Sequence, residues 1–286
     1  MSPLQSLANP FAEPVNIQLF LKRDDLLHPA ISGNKWRKLK YNLLAAQQQR
    51  FTTLLTFGGA YSNHLSATAA AGQAFGFQTI GVVRGDELPR KPLNKTLTFC
   101  QSCGMRLHFV SRNDYRRKDD PDFLLALERQ FGPCYILPEG GTNDLAIRGT
   151  AEILSEINLQ LGYTPDYVCC PVGTGGTVAG LAQSATLATT VLGFMVLKLP
   201  DTNPLANWQA ITDYHFGGYA KTTPELIQFI RRFERKTGVQ IEQVYTGKML
   251  YGIYELARNG YFPEGATVVA VHTGGLQGRS VELDAE

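Results

Sequence analysis

Gly173-Thr174-Gly175-Gly176-Thr177 follows the apolar run 167–172 and leads into a small-residue segment, Val178-Ala179-Gly180-Leu181-Ala182. A turn of this kind lets backbone N–H groups converge on an anion at a helix N-terminus, where the helix dipole also favours negative charge. The hydroxyls of Thr174 and Thr177 add donors. Val178 stands where the third glycine of the dinucleotide fingerprint G-x-G-x-x-G belongs, and no G-K-[ST] ending for a nucleoside triphosphate follows. The chemistry predicted is capture of a monophosphate; a tight strand-to-helix turn packed without ligand is the plainer alternative.

Three further segments follow strand-like runs: Phe57-Gly58-Gly59-Ala60-Tyr61-Ser62-Asn63-His64, Pro138-Glu139-Gly140-Gly141-Thr142-Asn143 and His272-Thr273-Gly274-Gly275. In the first, two glycines allow close backbone approach while Ser62, Asn63 and His64 present hydroxyl, amide and imidazole, a set able to grip a carboxylate or a phenolate oxygen. Read as packing instead, Ser62 or Asn63 caps the Ala-rich helix that follows and His64 is a polar first-turn residue. Lys35, in Ser32-Gly33-Asn34-Lys35-Trp36-Arg37-Lys38, becomes chemical only if burial or the neighbouring cations Arg37 and Lys38 lower its pKa. The free amine then attacks a carbonyl to form a Schiff base. Otherwise it is one more surface lysine at the basic start of a helix.

Positioning such groups requires strands that end where ligands bind, beyond the carboxyl edge of a parallel sheet. Short apolar runs predict strands over 53–57, 79–83, 107–110, 134–137, 167–172, 191–197 and 267–272. Several are nearly unbroken hydrophobic runs, as expected of parallel strands covered on both faces. Between them, 3.6-residue periodicity predicts helices over 37–49, 63–75, 93–103, 122–131, 143–161, 177–188, 224–237 and 250–259. Thr223, Pro224 and Gly238 are the start and stop signals of the 224–237 helix. The charged stretch 114–122 reads as an exposed loop. The fold class is α/β.

With 286 residues, 44% hydrophobic and 18% charged, the chain has an ordinary globular composition. A net charge of +2 without face-length basic runs argues against a nucleic-acid partner. No apolar stretch approaches the ~20 residues that span a bilayer, and the first ten residues lack signal-peptide blocks, so the sequence reads as soluble and cytoplasmic, with no membrane partner. Five cysteines, two of them adjacent at Cys169 and Cys170, read as reduced thiols. Cys100-x-x-Cys103 has no second ligand pair, so no metal is expected; it reads as a helix end before Gly104.

Taken in order, Lys22-Arg23-Asp24-Asp25, Gly33-Asn34-Lys35 with Arg37-Lys38-Leu39, Gly58-Gly59 with Ser62-Asn63-His64, the Gly173 turn and Val244-Tyr245-Thr246-Gly247-Lys248 resemble the D-cysteine desulfhydrase and 1-aminocyclopropane-1-carboxylate (ACC) deaminase family. The match spans about residues 19 to 275. The resemblance implies a fold-type II pyridoxal 5'-phosphate (PLP) enzyme, like the tryptophan synthase β chain, with two three-layer α/β/α domains and mainly parallel twisted sheets. Residues 1–42 and 146–286 would form the larger, PLP-binding domain, 43–145 the smaller inserted one, and two chains a homodimer.

By the same resemblance Lys35 carries the cofactor and moves the substrate α-proton, and Gly173 to Thr177 hold its phosphate. Asn63 bonds the phenolate oxygen, Ser62 and His64 meet the substrate carboxylate, and Tyr219 and Tyr245 match two active-site tyrosines. Thr246 and Thr273 stand where ACC deaminases carry Glu and Leu. A carboxylate near the pyridine nitrogen strengthens the electron sink needed to open a cyclopropane ring, and a hydroxyl does not. A small D-amino acid, D-cysteine first, is therefore the expected substrate, giving pyruvate, sulfide and ammonia. ACC deamination, another β-substituted D-amino acid dehydratase and a non-catalytic PLP-binding homologue are the alternatives. The match is poor over residues 198–207.

Overall fold

A computed structural model describes residues 1–197 and 208–284; the poorly matched 198–207 stretch lies outside the described residues. The elements run β1 (Leu4–Leu7), β2 (Ile17–Lys22), α1 (Asn34–Gln48), β3 (Thr53–Gly58), α2 (Asn63–Phe75), β4 (Gln78–Arg84), α3 (Lys95–Ser102), β5 (Arg106–Val110), α4 (Arg112–Arg116), α5 (Pro121–Phe131) and β6 (Tyr135–Leu137). They continue with α6 (Asp144–Leu161), β7 (Tyr167–Val172), α7 (Gly176–Ser184), β8 (Thr190–Met195), β9 (Gln209–Ile211), α8 (Pro224–Thr237), α9 (Thr246–Arg258) and β10 (Ala266–Val271).

Two compact units result, Met1–Asn34 with Thr150–Glu286, and Lys35–Gly149. The boundaries fall at 34/35 and 149/150, where the sequence suggested 42/43 and 145/146. The difference has a local cause. α1 is tied to the 140–143 segment through Lys38, which donates to Gly140 O at 2.9 Å, and Asn42, which donates to Asn143 Oδ1 at 3.1 Å. Gly149 in turn lies against α1, since a side chain there would meet Arg37 O at 2.0 Å.

In the discontinuous unit the sheet order is β1-β2-β10-β7-β8-β9, parallel except for β1. Alternation along its strands sends Cys169, Leu192, Val268 and Ala270 to one core with α8 and α9. Val168, Cys170, Val191, Val269 and Val271 go to the other with α6 and α7. Both faces are covered, so the strands lack a polar alternation. β1, β2 and β9, unforeseen from the sequence, are short or carry polar residues at their ends.

The contiguous unit is a four-stranded parallel sheet, β5-β4-β3-β6. Leu55, Phe57, Ile80 and Val82 pack with Leu127 of α5 on one side; Val83 packs with Leu65, Ala69, Leu97 and Met105 on the other. α4 occupies part of the stretch expected to be an exposed loop. Ser111 caps it by accepting from Asp114 N at 3.0 Å, and Tyr115 is buried, its ring edge-on to Phe57. Each unit is a three-layer α/β/α arrangement. No helix among the described residues is long and apolar enough to cross a membrane.

Candidate active site

β7 ends at Val172, and Gly173, Thr174 and Gly175 carry the chain into α7. Gly175 is the N-cap, in the left-handed region at φ 84°, and no side chain caps the first turn. The α7 N-terminus therefore keeps amide donors and a positive dipole end for an anion. Thr177 is buried and accepts from Asn34 Nδ2 at 2.8 Å, which leaves its own hydroxyl proton to give. Thr150 Oγ1 fixes the same turn by donating to Gly176 O at 3.0 Å.

Thr273 follows β10 in a turn that also receives residues 33 and 34. Gly33 has φ +68°, and a Cβ there would lie 1.9 Å from Thr273 O, so only glycine fits. Asn34 N donates to Thr273 O at 3.2 Å. His272 sets the turn: Nε2 lies 2.8 Å from Gln240 O and Nδ1 accepts from Gly274 N at 3.2 Å, which defines a neutral ring protonated at Nε2. Burial lowers its pKa accordingly. Asn34 thus touches both the Gly173–Thr177 turn and Thr273, a role not read from the sequence. The signal was there, an amide between an obligatory glycine and the candidate lysine.

Tyr245 packs on the same turn, its Cε1 lying 3.3 Å and its Oη 3.5 Å from where a Gly173 side chain would begin. Tyr219 stands edge-on to Tyr245 with ring centroids 6.1 Å apart, and it is 46% exposed. Thr246 is fully buried at the start of α9. The nearby carboxylate, Glu242, is spent on the α9 N-terminus, accepting from Val244 N, Tyr245 N and Thr246 N at 2.6, 2.9 and 2.7 Å. Its burial raises the carboxyl to about 6 against those bonds.

The remaining candidates belong to the contiguous unit. Lys35 is partly buried in the first turn of α1, and desolvation lowers its amine from 10.5 to about 8. Of the two causes considered from the sequence, burial does this, and the charges of Arg37 and Lys38 do not. Lys38 is held instead by Gly140 O and by Thr142 Oγ1 at 3.0 Å. Ser62 is the N-cap of α2, accepting from Leu65 N at 3.2 Å, and Asn63 opens that helix. Gly58 is required there, because a Cβ would meet Ser62 Oγ at 2.6 Å.

The ring of His64, expected to meet a substrate carboxylate, is fixed on one side by Thr56. Thr56 Oγ1 gives its proton to Leu137 O at 2.9 Å, so it must accept from His64 Nε2, also 2.9 Å away. Nδ1 is then an unprotonated acceptor, buried and without a hydrogen-bond partner among the described residues. Burial first, then the charges of Lys35 and Lys38, hold the pKa well below 6.5. A neutral ring with a lone pair at its open nitrogen repels a carboxylate. Gly141 lies against it, a Cβ there falling 2.7 Å from His64 Cε1.

Within the discontinuous unit, the amides of the Gly173–Thr177 turn and the Thr177 hydroxyl suit the phosphate of pyridoxal phosphate; within the contiguous unit, the Lys35 amine, lowered to about 8, suits an aldehyde. Among the described residues no three His, Cys, Asp or Glu side chains gather as metal ligands. Cys100 and Cys103 are free thiols at the end of α3, and burial raises the former to about 12.

Comparison with known proteins agrees with this chemistry. The model of the pyridoxal-phosphate dependent enzyme family matches residues 2–193. The bifunctional D-cysteine desulfhydrase/1-aminocyclopropane-1-carboxylate deaminase, mitochondrial, of Arabidopsis thaliana is 32% identical over 95% of this chain and 75% of its own. A putative 1-aminocyclopropane-1-carboxylate deaminase of Pyrococcus furiosus is 31% identical over 97% and 90%. Among solved structures, an ACC deaminase homologue superposes with a TM-score of 0.83 at 27% identity, covering 97% of this chain and 90% of that one. O-ureido-L-serine synthase shares the fold, with a TM-score of 0.73 at 15% identity over 99% and 92%. The chain therefore belongs to the pyridoxal-phosphate dependent enzymes, in the family of D-cysteine desulfhydrases and ACC deaminases.

Proposed function

We propose that the chain is a PLP-dependent lyase of small D-amino acids, with D-cysteine as substrate and pyruvate, sulfide and ammonia as products. The observation that carries the choice is the start of α9. A threonine stands where the resemblance puts a glutamate in ACC deaminases, and the neighbouring Glu242 carboxylate is already engaged by three backbone amides. Glu242, so engaged, is not free to hold a proton on a pyridine nitrogen. ACC deamination is the second reading, favoured by the names of the relatives.

PLP, when bound, supplies an electron sink that lets an α-proton and then a β-substituent depart. In this reading the Gly173–Thr177 turn and the Thr177 hydroxyl hold the phosphate, Asn63 bonds the phenolate oxygen and Lys35 takes the aldehyde. Asn34, whose side chain reaches Thr177, is the chain neighbour of Lys35. A Lys35 amine near pKa 8 can accept and return the α-proton near neutral pH. Ser62 donates to the substrate carboxylate, its acceptor lone pair being used by Leu65 N. Tyr219 and Tyr245 border the substrate and exclude water. The working enzyme would be a cytoplasmic homodimer.

The test is an absorbance spectrum of the purified protein with PLP, before and after D-cysteine, ACC and D-serine, with Lys35→Ala alongside. A Lys35-dependent band near ~410–420 nm that shifts with D-cysteine as pyruvate and sulfide appear supports the reading. A band with keto acid from ACC instead moves the assignment to the deaminase.

A further inference from the structure

Lys248 belongs to the Tyr245-Thr246-Gly247-Lys248 motif, yet it points away from any ligand role described above. It is 1% exposed. Its Nζ donates to two backbone carbonyls, His215 O at 2.9 Å and Gly218 O at 2.8 Å. Those carbonyls close the turn that presents Tyr219. His215 O also accepts from Gly218 N at 3.0 Å, and Gly218 O from Lys221 N at 3.2 Å.

That turn needs a clamp. Phe216, Gly217, Gly218 and Ala220 have φ of 53°, 90°, 121° and 56°, a run of left-handed backbone in which two residues carry a Cβ. In each such non-glycine residue the Cβ crowds the following carbonyl oxygen, and the segment has no helix or strand hydrogen bonds to offset that strain. Its fixed points are few. Gly217 N donates to His215 Nδ1 at 2.9 Å, Phe216 lies edge-on to Tyr251, and Tyr214 is tilted against the same ring. These hold the entry to the turn, and Lys248 holds its apex. A buried lysine is costly to retain unless its donors are used. Here they bridge the two carbonyls flanking Phe216 and Gly217, immediately before Tyr219.

We propose that Lys248 is a positioning residue, which fixes the 215–218 turn from beneath and thereby sets Tyr219 against Tyr245. This rests on the lyase reading, in which those tyrosines border the substrate. Tyr219 is nearly half exposed and, among the described residues, has one ring neighbour, so its place is set by the backbone beneath it.

The test uses the PLP-loaded protein with Lys248→Met, Tyr219→Phe and the double variant, and Lys248→Gln as a milder replacement should Met fold poorly. Amide hydrogen exchange is measured over residues 214–221, with kcat and KM for whichever amino acid is turned over best. The expected result is exchange at least about tenfold faster across the turn, with the PLP absorbance unchanged. The expected loss in kcat/KM is about tenfold for Lys248→Met, with almost none added by Tyr219→Phe in that background, since both remove the same contribution. Unchanged exchange, or losses that multiply in the double variant, overturns the proposal. If no amino acid is turned over, the lyase reading fails and the exchange data alone decide the clamp.

Discussion

Lys35 can be titrated by reductive trapping: the protein is exposed to limiting PLP and cyanoborohydride from about pH 6 to about pH 11, and the label on Lys35 is quantified by mass spectrometry. With its amine lowered to about 8, roughly a quarter is neutral at pH 7.5, against about one part in a thousand for an ordinary lysine. Labelling near neutrality should therefore exceed that of an exposed lysine by more than ~100-fold and reach half its plateau near pH 8. Stability gives an independent reading of the same shift. Between about 8 and 10.5 the unfolded chain holds the Lys35 proton and the folded chain does not, so stability relative to Lys35→Met rises as pH rises through that window. A labelling midpoint near 10.5, or a wild-type to Lys35→Met difference that stays flat with pH, would refute the argument from desolvation.

Three other substitutions probe the supports of the site. Gly33→Ala should cost about 2–5 kcal/mol, from left-handed backbone strain plus overlap with Thr273 O, read from the urea midpoint at constant slope; a loss below about 1 kcal/mol would contradict the close approach. Asn34→Ala should weaken PLP binding about 2- to 10-fold by releasing the Thr177 hydroxyl, with little change in stability; equal affinity would remove Asn34 from the site. Glu242→Gln should lower stability by ~1–3 kcal/mol, because its amide cannot accept from all three α9 N–H groups. The wild-type carboxyl, raised to about 6, binds its proton earlier in the folded state. Its contribution to stability therefore increases as pH falls from above 6 toward 4.5, a trend the Gln variant should lack.

Much of the scaffold was legible because buried parallel strands write themselves as apolar runs. The 167–172 and 267–272 strands were expected within a residue or so of where they lie. β2 escaped because its last residue is charged, yet Lys22 is wholly buried, bonded to Ser2 O at 2.7 Å and Gln160 Oε1 at 2.8 Å and paired with Glu156 at 2.8 Å. Lys248 hides for the same reason. Sequence pattern assigns lysines to the surface, and only the partners reveal otherwise. The sequence pattern put the start of α9 at 250, whereas the helix opens at Thr246, where the Glu242 carboxylate accepts from Tyr245 N and Thr246 N and so supports the extra turn. The tautomer of His64 was not legible in the sequence, since it follows from a threonine and a carbonyl on two neighbouring strands.

The interruption of the six-stranded sheet by the Lys35–Gly149 unit bears on how the chain is made. β2 pairs with β10 through Ile17 and Ala266, so a strand synthesised near the beginning waits for one near the end. At roughly 5–20 residues per second that wait is about 12–50 s on the ribosome. The four-stranded unit is contiguous and complete once Gly149 emerges, so it can fold first while β2, with its apolar Leu19 and Leu21, has β1 on one edge and still lacks β10 on the other. Nascent chains stalled before β10 should therefore carry a folded insert beside a sticky, chaperone-dependent N-terminal segment, and production of this protein should be limited by that interval.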